Sequence, residues 1–146
     1  MKPILALVLL SALLVSCSSV ETRRSPGADL SRYQRFYVVH RLNDDRHIDE
    51  LIVRRLRELG REASAGHLTM MPENTEAIVT YDDVWAWDFK SYLIQLTVYI
   101  SDARRERPLG HGSYRQPSPV TKPPQELIRA ILDPLLQPRP AKRPPP

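Results

Sequence analysis

The chain has 146 residues, with 21 lysines and arginines against 17 aspartates and glutamates and a single cysteine. That length holds one domain of ordinary size, and one thiol excludes an internal disulfide, so packing alone must hold the core. The net charge of +4 is small, and its arginine-rich basic set reads as codon composition rather than a binding surface; with the export signal described next, it gives no support to a nucleic-acid partner.

Met1-Lys2-Pro3 is a short basic head, and Ile4 to Val15 is an uncharged apolar run. This is the layout of a secretory signal, and it is too short to cross the hydrocarbon of a bilayer, which takes about 20 residues. Leu14-Val15-Ser16-Cys17 resembles the lipobox of bacterial lipoproteins. The alternative, a buried core cysteine, fits neither its position nor the hydroxyl-rich Ser18-Ser19 after it. The resemblance implies a signal peptide over residues 1–16, cleavage between Ser16 and Cys17, and acylation of Cys17. Each buried methylene contributes about 0.8 kcal/mol and one chain binds only reversibly, so several chains on Cys17 would hold the protein on its membrane. Ser18 is not an aspartate, which by the sorting rule of enteric bacteria implies the outer membrane. Loss of Lys2 with the signal lowers the net charge from +4 to +3.

Residues 17–28 are expected to be the lipidated cysteine and a flexible tether, because the polar run through Pro26-Gly27 has no periodicity. Arg35 to His40 is rich in aromatic and β-branched residues and reads as a strand. Asn43-Asp44-Asp45 supplies N-cap candidates for a helix whose apolar stripe is Ile48, Leu51, Ile52, Leu56 and Leu59. Gly60 stands where such a helix ends in a residue of positive φ. A short strand over Arg61–Ala65 and a proline-marked loop follow. Glu76 to Trp87 reads as a strand bent near Asp82-Asp83. Ser91 to Asp102 alternates, with Tyr92, Ile94, Leu96, Val98 and Ile100 assigned to the core. Leu109 to Gln116 is a further strand. Pro124 to Leu136 carries a second helical stripe, expected to kink or end at Pro134. The order β-α-(β)-β-β-β-α predicts an α+β fold: a two-layer sandwich, a mainly antiparallel sheet with two helices on one face. The domain is expected over residues 29–137. Ten of the fourteen prolines lie from Pro117 onward, and residues 138–146 are expected to form a disordered, basic, proline-rich tail.

Tyr81 to Asp88 (YDDVWAWD) holds three carboxylates and both tryptophans. Asp82 and Asp83 are adjacent, so a strand aims them at opposite faces and denies them a catalytic pairing. Trp85 and Trp87 share a face with Asp83, and these three form the candidate surface for a partner or ligand. The four histidines have no spacing of a metal site, and Gly110-His111-Gly112-Ser113 lacks the Gly-x-Ser-x-Gly order of a nucleophile elbow. No metal, cofactor or catalytic residue is expected.

The lipobox, the opening SRYQRFYVV, the helix ending LRELG, and the strands TEAIVTYDDVWAWD and SYLIQLTVYISDAR resemble a family of small outer-membrane lipoproteins of Gram-negative proteobacteria, a domain-of-unknown-function group. The resemblance covers about residues 1–116 and implies location and fold class, with no catalytic residues to transfer. The function expected is that of a non-enzymatic outer-membrane lipoprotein. It would be anchored in the membrane through Cys17, face the periplasm, and serve an envelope protein partner as an accessory or scaffold component. The alternative is a lipid- or glycan-binding module that uses the Trp85/Trp87 region.

Overall fold

The computed structural model describes residues 18–116 and 121–138. It contains six strands, β1 (Ser19–Arg24), β2 (Arg35–Val39), β3 (Glu62–Gly66), β4 (Ala77–Asp88), β5 (Lys90–Asp102) and β6 (Pro108–Arg115), with helices α1 (Ile48–Glu58) and α2 (Pro124–Leu136). The strands form one open sheet in the order β1-β6-β5-β4-β2-β3. β2 runs parallel to β3 and β4; every other pairing is antiparallel. The fold is α+β, as expected, with β4, β5 and β6 forming an antiparallel meander.

One face of the sheet is core. Phe36, Val38, Ala63, Val79, Tyr81, Leu96, Val98 and Tyr114 join the buried residues of both helices in a single apolar cluster. α1 lies over β2 and β3, whereas α2 covers β1, β6 and β5. The helices meet through Arg55, whose Nε donates to Asp133 Oδ1 at 2.8 Å while Nη2 reaches Oδ2. That fork-to-fork geometry fixes orientation as well as distance. α1 ends as its sequence predicts. Gly60 has φ +77°, its N–H donates to the Arg57 carbonyl, and the Arg61 N–H donates to that of Leu56, the paired closure of a Schellman motif.

Two expectations are corrected. Residues 19–24, read as tether, form β1, paired with β6 along its whole length. Its side chains are largely exposed, so no apolar pattern announces it; backbone pairing holds it in place. The alternation of β5 also breaks. Val84 pairs with Gln95 but Trp85 pairs with Leu93, leaving Ile94 as an extra residue. Such a bulge reverses the facing of everything beyond it. Leu93 is therefore buried with Leu96, Val98 and Ile100, while Ile94 is only half-buried. α2 spans Pro124–Leu136, the bounds expected, with Pro134 inside its last turn. Arg24 of β1 donates to the Pro134 carbonyl and, at 2.7 Å, to that of Gln137, placing a cation on carbonyls that the helix end leaves unpaired. The signal peptide, Cys17 and residues 139–146 lie outside the described residues.

Leu56 is fully buried, and Leu56→Ala is expected to lower stability by about 2–5 kcal/mol, read by urea unfolding. Deletion of residues 18–24 removes β1 and the Arg24 contact. Its melting midpoint is expected to fall by roughly 5 °C or more; an unchanged midpoint would show that β1 adds nothing to the fold.

Candidate functional site at the tryptophan strand

The strand β4 carries Tyr81, Asp83, Trp85 and Trp87 on the helix-covered face, because these positions continue the register of Ala77 and Val79 against β5. Their burial declines along the strand. Tyr81 is buried, Asp83 and Trp85 are half-buried, and Trp87 is 76% exposed. The helices do not reach as far as Trp87. The structure therefore brings Asp83 and Trp85 together and leaves Trp87 out in solvent beside the turn at Phe89, itself 95% exposed. Ser16 and Cys17 lie outside the described residues.

The loop between β2 and α1 builds the rest of the site. Arg41 Nη1 contacts Asp83 Oδ1 at 2.6 Å and, more loosely, Asp82 Oδ1 at 3.7 Å. The other Asp83 oxygen accepts from Trp85 Nε1. The Arg46 guanidinium lies 4.6 Å from the Trp85 ring centroid, a cation–π distance. Arg41 and Arg46 thus fasten the loop to the middle of β4. Asp83 makes no pair with Asp82, whose side chain points to the open face and is 65% exposed.

Beneath these contacts is a buried polar node. Asp44, 7% exposed, accepts the Tyr81 hydroxyl at 2.6 Å, the Asp49 N–H at 3.2 Å and the Arg46 N–H at 3.1 Å. The N-cap candidate thus serves the first turn of α1 from outside it, since the residue in the cap position is His47, held at φ +56° with no side-chain cap. Next to the node, Asp49 Oδ2 lies 2.7 Å from His40 Nδ1, and the His40 and His67 rings meet edge to face at 5.5 Å. Burial disfavours the Asp44 charge, but the Tyr81 hydroxyl and the backbone N–H groups outweigh it and hold the carboxyl below its usual range. Burial, and then the bond to Asp44, push the Tyr81 hydroxyl well above its ordinary value. Most of these polar groups are satisfied by one another, so the node holds the loop in place. Among the described residues, no group of three or more histidines, cysteines or acids is placed to hold a metal ion.

Sequence reasoning named Asp83 and Trp85 but missed Arg41, Arg46 and the pairing of Tyr81 with Asp44. Their partners lie about forty residues apart along the chain, and only the parallel pairing of β2 with β4 brings them together. The glycines of Gly110-His111-Gly112 serve packing. A Cβ at Gly112 would stand 2.7 Å from Ile131 Cγ2, and one at Gly110 would stand 2.9 Å from the Arg23 carbonyl. An open cleft of about 270 Å³ lies between the β4–β5 hairpin and the start of α2, lined by Trp85, Lys90, Tyr92, Leu93 and Lys122. Gln116, buried, links two of these lining residues by donating to the Leu93 carbonyl at 2.7 Å and accepting from the Lys122 N–H at 2.8 Å.

The node sets a pH dependence. A depressed carboxyl stabilises the fold above its unfolded pKa, near 4, and that contribution is lost as pH falls through the lower folded value. The raised Tyr81 phenol contributes below about 10, and its share is lost as pH rises through the folded value. Tyr81→Phe is expected to reduce stability at neutral pH by about 1.5–3 kcal/mol. Because Asp44 then keeps its burial but loses a donor, its carboxyl is less depressed, and the stability lost on acidification below the unfolded carboxylate range should be smaller than in the wild type in urea titrations. An acid limb that superimposes on the wild type would show that the bond does not support the Asp44 charge.

No protein-family model matches the chain, and no curated protein matches it. Among solved structures it is similar to the PelC dodecamer of Paraburkholderia phytofirmans, at 15% identity and TM-score 0.62, over 84% of this chain and 100% of that one. A second crystal form, of a PelC variant, gives 15% identity and TM-score 0.59 over 82% and 98%. A DUF4136 family protein from Bacteroides thetaiotaomicron aligns at 9% identity and TM-score 0.53 over 82% of this chain and 97% of that one. At these identities the likeness is one of fold.

Proposed function

We propose that the chain is a non-enzymatic envelope lipoprotein. In this reading it is anchored by Cys17 in the outer membrane, faces the periplasm, and works as an accessory or scaffold component of an envelope assembly. The observation that carries the reading is the start of β1. Ser19 is already paired with Arg115 of β6, so the folded domain begins two residues after the proposed lipid attachment and would be held flush against the membrane. The satisfied polar node beside the tryptophans supports a structural role for the acids there. The PelC structures are dodecamers by their description, and among the described residues the sheet ends in two edge strands, β1 and β3; a scaffold made of several copies is the form of the proposal that light scattering of the processed protein in detergent would examine.

A second reading, a module for lipid or glycan, draws on the cleft beside Trp85 with Lys90 and Lys122 at its rim. Crosslinked capture from intact envelopes separates the two. A stable protein partner or a self-assembly favours the scaffold, and co-purified lipid or glycan favours the module. The anchor has its own test. Cys17→Ser is expected to accumulate as unprocessed precursor and the wild type to incorporate labelled palmitate; a Cys17→Ser variant that is matured normally and released would overturn the lipoprotein reading.

A further inference from the structure

The β4–β5 hairpin ends in aromatic residues that nothing among the described residues covers. Trp87 is 76% exposed and Phe89 is 95% exposed. Phe89 also sits at φ +59°, a left-handed conformation that a bulky side chain rarely adopts. Burial within the domain explains neither residue.

Strand register shows which way this tip points. Ser19 is level with Arg115, Arg115 with Gln95, and Gln95 with Val84. The first residue of β1 therefore lies at the same end of the sheet as the hairpin. From the level of Val84, Trp87 is three residues further out and Phe89 five, about 10 and 16 Å at roughly 3.3 Å per residue. Cys17 is two residues before Ser19 and reaches at most about 7 Å beyond it. The aromatic tip thus extends past the furthest point at which acyl chains on Cys17 would start.

From this geometry we infer that the hairpin tip is a membrane-contact element: Trp87 and Phe89 enter the headgroup region of the leaflet that holds the Cys17 acyl chains. The inference rests on the lipoprotein reading above. The chemistry of the tip suits a lipid surface. Tryptophan concentrates at the level of the headgroups, and an interfacial segment sinks about 5–10 Å into the boundary between headgroup and acyl chain. Asp88 and Lys90 flank Phe89 with opposite charges, so apolar burial rather than net charge drives the contact, and raised salt should leave it unchanged. The lipid anchor supplies the second attachment that a small aromatic tip lacks on its own. Together they hold the sheet in one orientation, with β3 at the edge away from the anchored strand.

The test uses the full, processed lipoprotein in vesicles of phosphatidylethanolamine and phosphatidylglycerol, part of the lipid being brominated on the upper acyl chain. In Trp85→Phe, Trp87 is the only tryptophan. Bromine is expected to quench roughly half or more of its emission, as for a ring at the interface, and acrylamide quenching should fall several-fold relative to the detergent-free urea-unfolded chain. In Trp87→Phe, the remaining Trp85 should be insensitive to bromine. Should Trp85→Phe fail to fold, the wild type must show one bromine-quenched component and one protected from it. Protein retained by the vesicles with Trp87 unquenched by bromine and open to acrylamide overturns the tip proposal alone. Protein not retained, and free of palmitate, overturns the anchor reading and the tip proposal with it. Protection of Trp87 in whole envelopes but not in vesicles assigns the tip to a protein partner and overturns the lipid contact.

Discussion

The arrangement depends on one buried carboxylate. Asp44 is removed from water and keeps its charge because a phenol and two backbone N–H groups point at it. Losing any one of them would leave a buried charge undersatisfied, a larger penalty than the bond itself contributes. The loop from His40 to His47 is therefore committed to a single path. That path delivers Arg41 to Asp83 and Arg46 to the Trp85 ring. These contacts stiffen the middle of β4, from which the unsupported part of the hairpin projects.

Much of this was legible in the sequence where apolar spacing carries the message. The stripe of α1 and the glycine after it appear as written, because a helix that buries one face must repeat at 3.6 residues. The antiparallel meander follows from long alternating strands and short links. Three features were not legible, each for a physical reason. β1 is an edge strand of polar residues whose energy lies in backbone bonds to β6, and composition cannot distinguish it from a tether. In Leu93-Ile94 both residues are apolar, so the pattern cannot say which one the bulge turns outward. The site was half visible. Aromatic residues and acids on one strand drew notice, but their partners come from a loop that only tertiary pairing brings near.

The glycines of β6 show how close the layers are. With side chains absent at positions 110 and 112, β1 and α2 both approach the strand to distances no Cβ would permit. The same segment carries His111 and Ser113 on the opposite face, where Ser113 Oγ lies 3.0 Å from Thr97 Oγ1 and the His111 ring neighbours Tyr99. What reads in sequence as a run of chemistry-bearing residues is in space two separate faces with different tasks. One face admits a helix, and the other is a wet surface.

The turn at Phe89 has a consequence for any effort to improve this protein. Local rules favour glycine or asparagine at a position of positive φ, and exposure gives a phenylalanine there no packing in return. A stability screen, or a sequence-design procedure run on the isolated domain, would replace it early and report a gain. If the tip enters a leaflet as inferred above, selection for thermal tolerance and selection for that contact would move this residue in opposite directions. A variant bank ranked by melting temperature would then place at its top the proteins least able to make that contact.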